Sequence, residues 1–381
     1  MDKNVAKRGR PAQKPLVIAV DAGVLGEQDE TLQGGVYTVS SQLLKKLAVL
    51  DRKNHYLLFS FSPIPKEEMI QFGSHAKNIV LPQWGWFRFW VPLALRFFHP
   101  DIFLGLSQAM PAISTPTIGF IYDVAFERFP AGYPDSYKKL SRNSRFLANN
   151  SSKLITISQY SKEEIQKEYG ITEKKIIVSY PGTASIFTPE GPRFIDDRPY
   201  FLYVGALKRT KNVPLLIRAF AQFLNEYQKP YRLLLVGSPA WMDPEIKTMI
   251  QRHNLTDAVI IKGYVSATDI PQYYRGAQAL IISSLYEGFG LPALEAMSCG
   301  VPVIANDIAA LREIVGDSGI LLGSDTEDEL KKALLELATD ENKRKYLCEK
   351  GLKRAQKFSW ATFATRVLQE IKQLGNKHKN T

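Results

Sequence analysis

Short apolar runs recur along the chain, and longer segments with helical spacing separate them. In the first half the runs fall at residues 16–20, 56–59, 79–81, 102–104, 117–121, 154–157 and 176–179. In the second half they fall at 200–204, 233–236, 259–265, 279–284 and 301–304. Between the first two, Val36, Val39, Leu43, Leu47 and Leu50 repeat at the helical period. Apolar strands alternating with amphipathic helices predict parallel sheets covered by helices on both faces. A stretch rich in Pro, Gly and Asp at 188–199 reads as a linker, dividing residues 15–187 from 200–359. Ser161 and Glu164 read as a capping box for a helix that stops at Gly170. Thr326 and Glu329 read the same way for a helix reaching about residue 340. The final helical segment spans about 360–375.

The most informative stretch follows the run at 279–284. It reads Glu287-Gly288-Phe289-Gly290-Leu291-Pro292-Ala293-Leu294-Glu295, and Gly300 then precedes the next strand. Pro292 suits the first turn of a helix, where its missing N–H has no intrahelical partner. Strand, glycine-bearing loop and helix N-terminus together offer backbone N–H groups and a partial positive charge, which suits a phosphate. Gly288 and Gly290 permit close backbone approach, with Phe289 and Leu291 beside them. The carboxylates Glu287 and Glu295 repel phosphate but accept hydrogen bonds from hydroxyls on either side of it. Hydroxyls, phosphates, then more hydroxyls describe a nucleotide-sugar.

Composition narrows the picture further. The chain has 381 residues, enough for two domains, with 45% hydrophobic and 23% charged residues, as in soluble globular proteins. A formal net charge of +11 favours an anionic partner: a nucleotide, a nucleic acid or an acidic membrane surface. A nucleic-acid role rests on charge alone, since no recognition motif is present. Two cysteines, Cys299 and Cys348, do not make a disulfide framework, and no metal-ligand spacing occurs. Residues 1–14 are polar and basic, without the apolar centre of a signal peptide, and read as a disordered tail. No run is long and apolar enough to span a bilayer, so the expectation is a cytoplasmic protein, peripheral at the inner face of a membrane. Two features bear on that. Residues 84–90 hold five aromatics and Arg88, which suits a membrane interface or, more readily, a helix packed on the sheet. Lys138, Arg142 and Arg145 share one face of a helix expected over 135–150.

The residues from Ser284 to Gly319 resemble the Glu-x7-Glu region of retaining family-4 glycosyltransferases, which have the GT-B fold. The resemblance includes Leu311-Arg312-Glu313-Ile314-Val315-Gly316-Asp317-Ser318-Gly319. It implies two Rossmann-like domains facing a cleft, an acceptor-side N-terminal domain, and a last helix that crosses back to it. It implies that Glu287 holds donor-sugar hydroxyls, that Glu295 holds the ribose, and that anomeric configuration is retained. Gly34-Gly35 resembles the family's glycine-rich first loop. Gly205 closes the first strand of the second domain, and Val265 ends a strand that resembles the family strand whose end holds the base. In the loop 206–212, Lys211 matches the family lysine, and Arg209 stands beside a position where the family has arginine. Tyr122-Asp123 falls where the family reads His-Asp; tyrosine is a poor base at neutral pH.

No Asp-x-Asp pair is present, so charge on a departing diphosphate is expected to meet fixed donors, with no metal and no cofactor. The expected activity is transfer of a hexose, with a lean to mannose, from a nucleotide-sugar to a glycan or lipid-linked acceptor. The alternative is a catalytically weak sugar-nucleotide-binding protein.

Overall fold

A computed structural model describes residues 14–26, 34–133, 136–238 and 242–379. The tail at 1–13, the polar loop 27–33 and Asp135 lie outside the described residues.

The apolar runs form two all-parallel sheets. The first contains β1 (Val17–Asp21), β2 (His55–Ser60), β3 (Ala76–Val80), β4 (Ile102–Gly105), β5 (Thr117–Phe120), β6 (Lys153–Thr156) and β7 (Ile176–Val178). Its order is β3-β2-β1-β4-β5-β6-β7. The second contains β8 (Tyr200–Val204), β9 (Arg232–Val236), β10 (Val259–Gly263), β11 (Ala279–Ile282), β12 (Val303–Asn306) and β13 (Ile320–Leu322). Its order is β10-β9-β8-β11-β12-β13. The central strands are buried on both faces, β4, β5, β11 and β12 at every position, while the edge strand β3 is partly exposed. That is why they read as continuous apolar runs rather than alternating ones. This is the GT-B architecture.

In each sheet the strand order reverses beside the first strand, between β1 and β4 and between β8 and β11. Side chains and backbone at the carboxyl ends of these strands border an open crevice, the usual place for a ligand in such sheets. The linker is pinned to the second domain: Phe194 stacks on Tyr273 at 4.3 Å, and Arg275 donates to the carbonyls of Pro192 and Thr188. The last helix, Trp360–Lys379, packs on the helix Gly35–Leu50 and on β4, and Ser179 donates to the Phe363 carbonyl at 3.2 Å.

Two local readings change. Ser161 does not cap its helix. The helix Gln159–Tyr169 starts earlier, and Ser158 is the cap, its Oγ accepting from the Ser161 N–H at 2.9 Å. The capping-box spacing pointed three residues too far because Ser158 is itself an acceptable cap and the Ser161 hydroxyl is used elsewhere. The aromatic segment divides its side chains. Residues Trp86–Trp90 form a wide π-type turn into the helix Val91–Phe98; Trp86 is buried, while Trp84 and Phe89 are exposed.

Candidate active site

Beyond β11 the chain turns through two buried serines whose hydroxyls are both engaged. Ser283 Oγ donates to the Lys211 carbonyl at 2.8 Å, and Ser284 Oγ donates to Glu287 Oε1 at 2.7 Å. Lys211 Nζ reaches the same Oε1 at 2.6 Å. Asn306, at the end of β12, donates to the carbonyls of Ser283 and Ser284, fixing the turn from beneath. The loop 206–212 and the turn after β11 are thereby one bonded unit.

The glycines have separate duties. Gly290 has φ +107°, a left-handed conformation that places the first turn of the helix Leu291–Ser298 against the loop. A Cβ on Gly288 would stand 2.9 Å from Asp123 Cβ and 3.0 Å from its Oδ2. Only a residue without a side chain lets the two domains approach so closely there. That approach is held by hydrogen bonds. The hydroxyls of Ser158 and Ser161 both donate to the Gly288 carbonyl, at 2.6 and 3.0 Å. The Val124 N–H donates to the Tyr286 hydroxyl at 3.3 Å. Glu313 accepts from the N–H groups of Gln159 and Tyr160, at 2.8 and 3.1 Å, and from the Tyr180 hydroxyl at 2.5 Å. The N-terminus of one helix of the first domain therefore grips the second domain twice, through a carboxylate and through a glycine carbonyl.

Between the domains lies a cavity of about 390 Å³. Gly35, Tyr122 and Asp123 line it from one side; Gly205, Lys211, Glu287, Gly288, Phe289, Gly290 and Leu291 line it from the other. These expected residues from distant parts of the chain thus converge on one space. Lys208, Ser284 and Pro292 also line it. Lys208 sits over the Tyr133 ring and donates to its hydroxyl at 3.2 Å. Arg209 is exposed and does not line the cavity; in this loop the cations on the cavity are Lys208 and Lys211. The loop bends at Arg209–Lys211, and that bend turns the side chain between the two lysines away. Gly34, Val265 and Glu295 lie outside the lining.

Electrostatics separate the acids. Asp123 Oδ1 accepts from the Ala125 N–H at 2.9 Å; burial pushes its carboxyl up, opposed by that bond and by Lys208 and Lys211. Glu295 accepts from the Tyr274 hydroxyl at 2.8 Å, and burial pushes its carboxyl up to about 7. Tyr122 is buried, and burial pushes its hydroxyl well above the usual phenol range. That hydroxyl donates to the Leu106 carbonyl at 2.8 Å and lies 3.4 Å from Ser40 Oγ, so Tyr122 is not a base. Asp21, at the end of β1, is buried under hydrogen bonds from Trp86 Nε1 at 3.1 Å and from Ser107 Oγ.

Sequence reading counted Lys208 among the three cations of the loop 206–212 placed to meet phosphates but did not single it out as a site residue. It also missed Ser158 and Ser161 as partners of the glycine loop, and Glu313 as an interdomain contact. No local pattern marks a hydroxyl for a carbonyl on another domain. Among the described residues no group of His, Cys, Asp and Glu is arranged to hold a metal ion, and no helix is long and apolar enough to cross a membrane.

Comparison with known proteins adds to this geometry. Residues 187–354, which contain the whole second sheet, match the family of Glycosyl transferases group 1. The chain is 28% identical over 291 residues to O-antigen chain mannosyltransferase B of Escherichia coli, covering 74% of this chain and 76% of that protein. It is 27% identical over 257 residues to the O-antigen chain mannosyltransferase RfbU of Salmonella typhimurium, covering 66% and 69%. Among solved structures, sucrose-phosphate synthase from Thermosynechococcus elongatus superimposes with a TM-score of 0.74 at 21% identity, covering 94% of this chain and 99% of that one. HepE of Anabaena, solved with UDP-glucose, gives 0.71 at 19% identity, covering 94% and 99%.

Proposed function

We propose that this chain is a glycosyltransferase that moves a hexose from a nucleotide-sugar to a glycan or lipid-linked acceptor, a reading that the match of its second domain and its relatives support. The observation that carries the reading is the Lys211–Glu287 pair on the glycine loop, at the meeting of the two sheet switch points. Leaving diphosphate gathers negative charge as the glycosidic bond breaks. Lys211, Lys208 and the N-terminus of the helix Leu291–Ser298 are the fixed positive groups that meet it. Both known partners of Glu287 fall on Oε1, and we assign Oε2 to hydroxyls of the donor sugar. Glu295, one helical turn further in, is assigned to the ribose. Closure of the domains through Gly288 and Glu313 would keep water from the activated sugar.

The reading includes retention, by resemblance, and a lean to mannose, which the two O-antigen relatives support. It includes independence of metals, supported by the cations already present. It also includes a cytoplasmic location at the inner membrane face. A panel of UDP-, GDP- and ADP-sugars, with the product anomer read by NMR, tests donor and stereochemistry. Glu287→Ala is expected to cut transfer by at least about tenfold with the fold intact; equal activity removes Glu287 from the site. Turnover lost in EDTA and restored by a divalent ion would overturn metal independence. The second reading, a weak or silent binder of sugar-nucleotides, is favoured by one observation: the Tyr122 hydroxyl, where the resembling family has histidine, is occupied by the Leu106 carbonyl. Donor binding without turnover across the panel would establish it.

A further inference from the structure

The two lysines on the cavity are held in different ways. Lys211 Nζ is fixed on the Glu287 carboxylate at 2.6 Å. Lys208 Nζ has no carboxylate within ion-pair distance among the described residues. Its contact is Tyr133 of the other domain, with the hydroxyl at 3.2 Å and the ring centroid at 5.0 Å. A lysine head on a flexible four-carbon stem keeps one place only where something holds it.

Tyr133 is itself placed by the first domain. Beyond Asp123 the chain runs through a short helix, Ala125–Arg128, and a tight turn, Pro130–Gly132. The Tyr133 N–H donates back to the Pro130 carbonyl at 3.0 Å, and its ring meets Phe126 edge-on with centroids 6.3 Å apart. The same segment lies against the second domain. Phe129 packs edge-on to Tyr286 at 6.2 Å, and a Cβ on Gly132 would stand 3.6 Å from Thr210 Cγ2, in the bend of the basic loop.

The chemistry of the contact matters. Burial, then the charges of Asp123 and Glu287, push the Tyr133 hydroxyl up to about 12, against Lys211, so it stays a neutral phenol. A phenol oxygen accepts from an ammonium, and the ring attracts it, without cancelling its charge. Lys211 shares its charge with Glu287, whereas Lys208 brings its own whole to the cavity. Tyr133 does not line that cavity, so it reaches a ligand there only through Lys208.

We propose that Tyr133 is a positioning residue of the transfer reaction. It holds Lys208 on the cavity with its charge uncancelled, ready for the charge that gathers on the departing diphosphate, and does so only while the two domains are together. The assignment rests on the function proposed above.

Kinetics and calorimetric binding on the full chain test it. The probes are UDP and GDP, with UMP and GMP beside them, and whichever sugar donor turns over. Lys208→Met should lower kcat at least about thirtyfold. Tyr133→Phe keeps the ring and deletes the hydroxyl; it should lower kcat about three- to tenfold with donor KM within about threefold. Tyr133→Ala should lower kcat about ten- to thirtyfold. The diphosphate carries the charge of the departed group. It should bind Tyr133→Phe about three- to tenfold more weakly, and the monophosphate should stay within about twofold of wild type. In a Lys208→Met background, Tyr133→Phe should cost no more than about twofold further. Tyr137→Phe deletes a bond to Glu127 in the adjoining helix, controls for loosening, and should leave every value within about twofold. Wild-type kcat and diphosphate affinity in Tyr133→Phe overturn the proposal. So does an equal loss with and without Lys208, or an equal loss in Tyr137→Phe. A wild type that binds none of the nucleotides and turns over no donor would instead overturn the proposed function, and the assignment with it. The affinity measurement needs no turnover, so it also decides for a protein that binds without transferring.

Discussion

Removing one carboxylate should loosen the grip between the domains without touching the cavity. Glu313→Ala deletes the acceptor for the N–H groups of Gln159 and Tyr160 and for the Tyr180 hydroxyl. It also removes a negative charge from a helix N-terminus, worth about 0.3–1 kcal/mol near the surface. Bonds to a buried charge contribute roughly 1.5–3 kcal/mol each, but two of these three are exposed, so about 0.5 kcal/mol each is the fitting scale. The sum is about 2 kcal/mol in favour of the closed arrangement, or about thirtyfold in the closed-to-open ratio. A donor that binds the closed arrangement should lose apparent affinity by about ten- to thirtyfold. Turnover at saturating donor should change by less than about threefold, because donor binding restores closure. Calorimetric titration with the preferred nucleotide measures the affinity, and small-angle scattering measures an increased radius of gyration in the free protein. Tyr180→Phe, which deletes one bond of the three, should fall between. Wild-type donor affinity and radius of gyration in a folded Glu313→Ala protein would refute the reasoning.

The Lys211–Glu287 pair separates stability from chemistry. Lys211→Met leaves a mostly buried carboxylate with Ser284 as its remaining hydrogen-bond donor among the described residues and should cost about 1–3 kcal/mol in denaturant unfolding; adding Glu287→Gln should recover most of that. Turnover should stay at least about a hundredfold below wild type in both variants. Recovery of turnover in the double variant would show that the pair is structural. Glu295 carries a pH signature. Its folded pKa of about 7 lies above the ordinary 4.5, so between those values the unfolded chain has lost a proton that the folded chain keeps. Its contribution to stability is whole at low pH and is lost as pH rises through this window. Glu295→Gln should flatten chemical denaturation midpoints across the window. If the carboxylate accepts ribose hydroxyls, donor affinity should rise from pH 6 to pH 8 in wild type and not in the variant.

The GT-B architecture was legible because its central strands are buried on both faces, so their apolar runs stand out and their spacing demands crossover helices. The stretch from Glu287 to Glu295 was legible for a local reason: a strand end, two glycines and a proline in the first helical turn form within a dozen residues, and nothing distant is needed to specify them. What local patterning left open concerns partners far apart in the chain. Lys208 and Arg209 are adjacent and equally basic, and only the turn at Arg209–Lys211 decides which faces the cavity. Ser161 read as the helix cap, and the cap is Ser158 one turn earlier; that both hydroxyls hold a carbonyl about 130 residues away depends on how two sheets are brought together. The aromatic segment followed the same rule. Its composition suited a helix packed on the sheet more readily than a membrane face, and packing against Phe61 and Asp21 assigned Trp86 to the interior and left Trp84, Phe89, Leu93 and Phe97 outside. Local sequence sets backbone preferences and apolar period; the direction of each side chain is set by what the rest of the chain places against it.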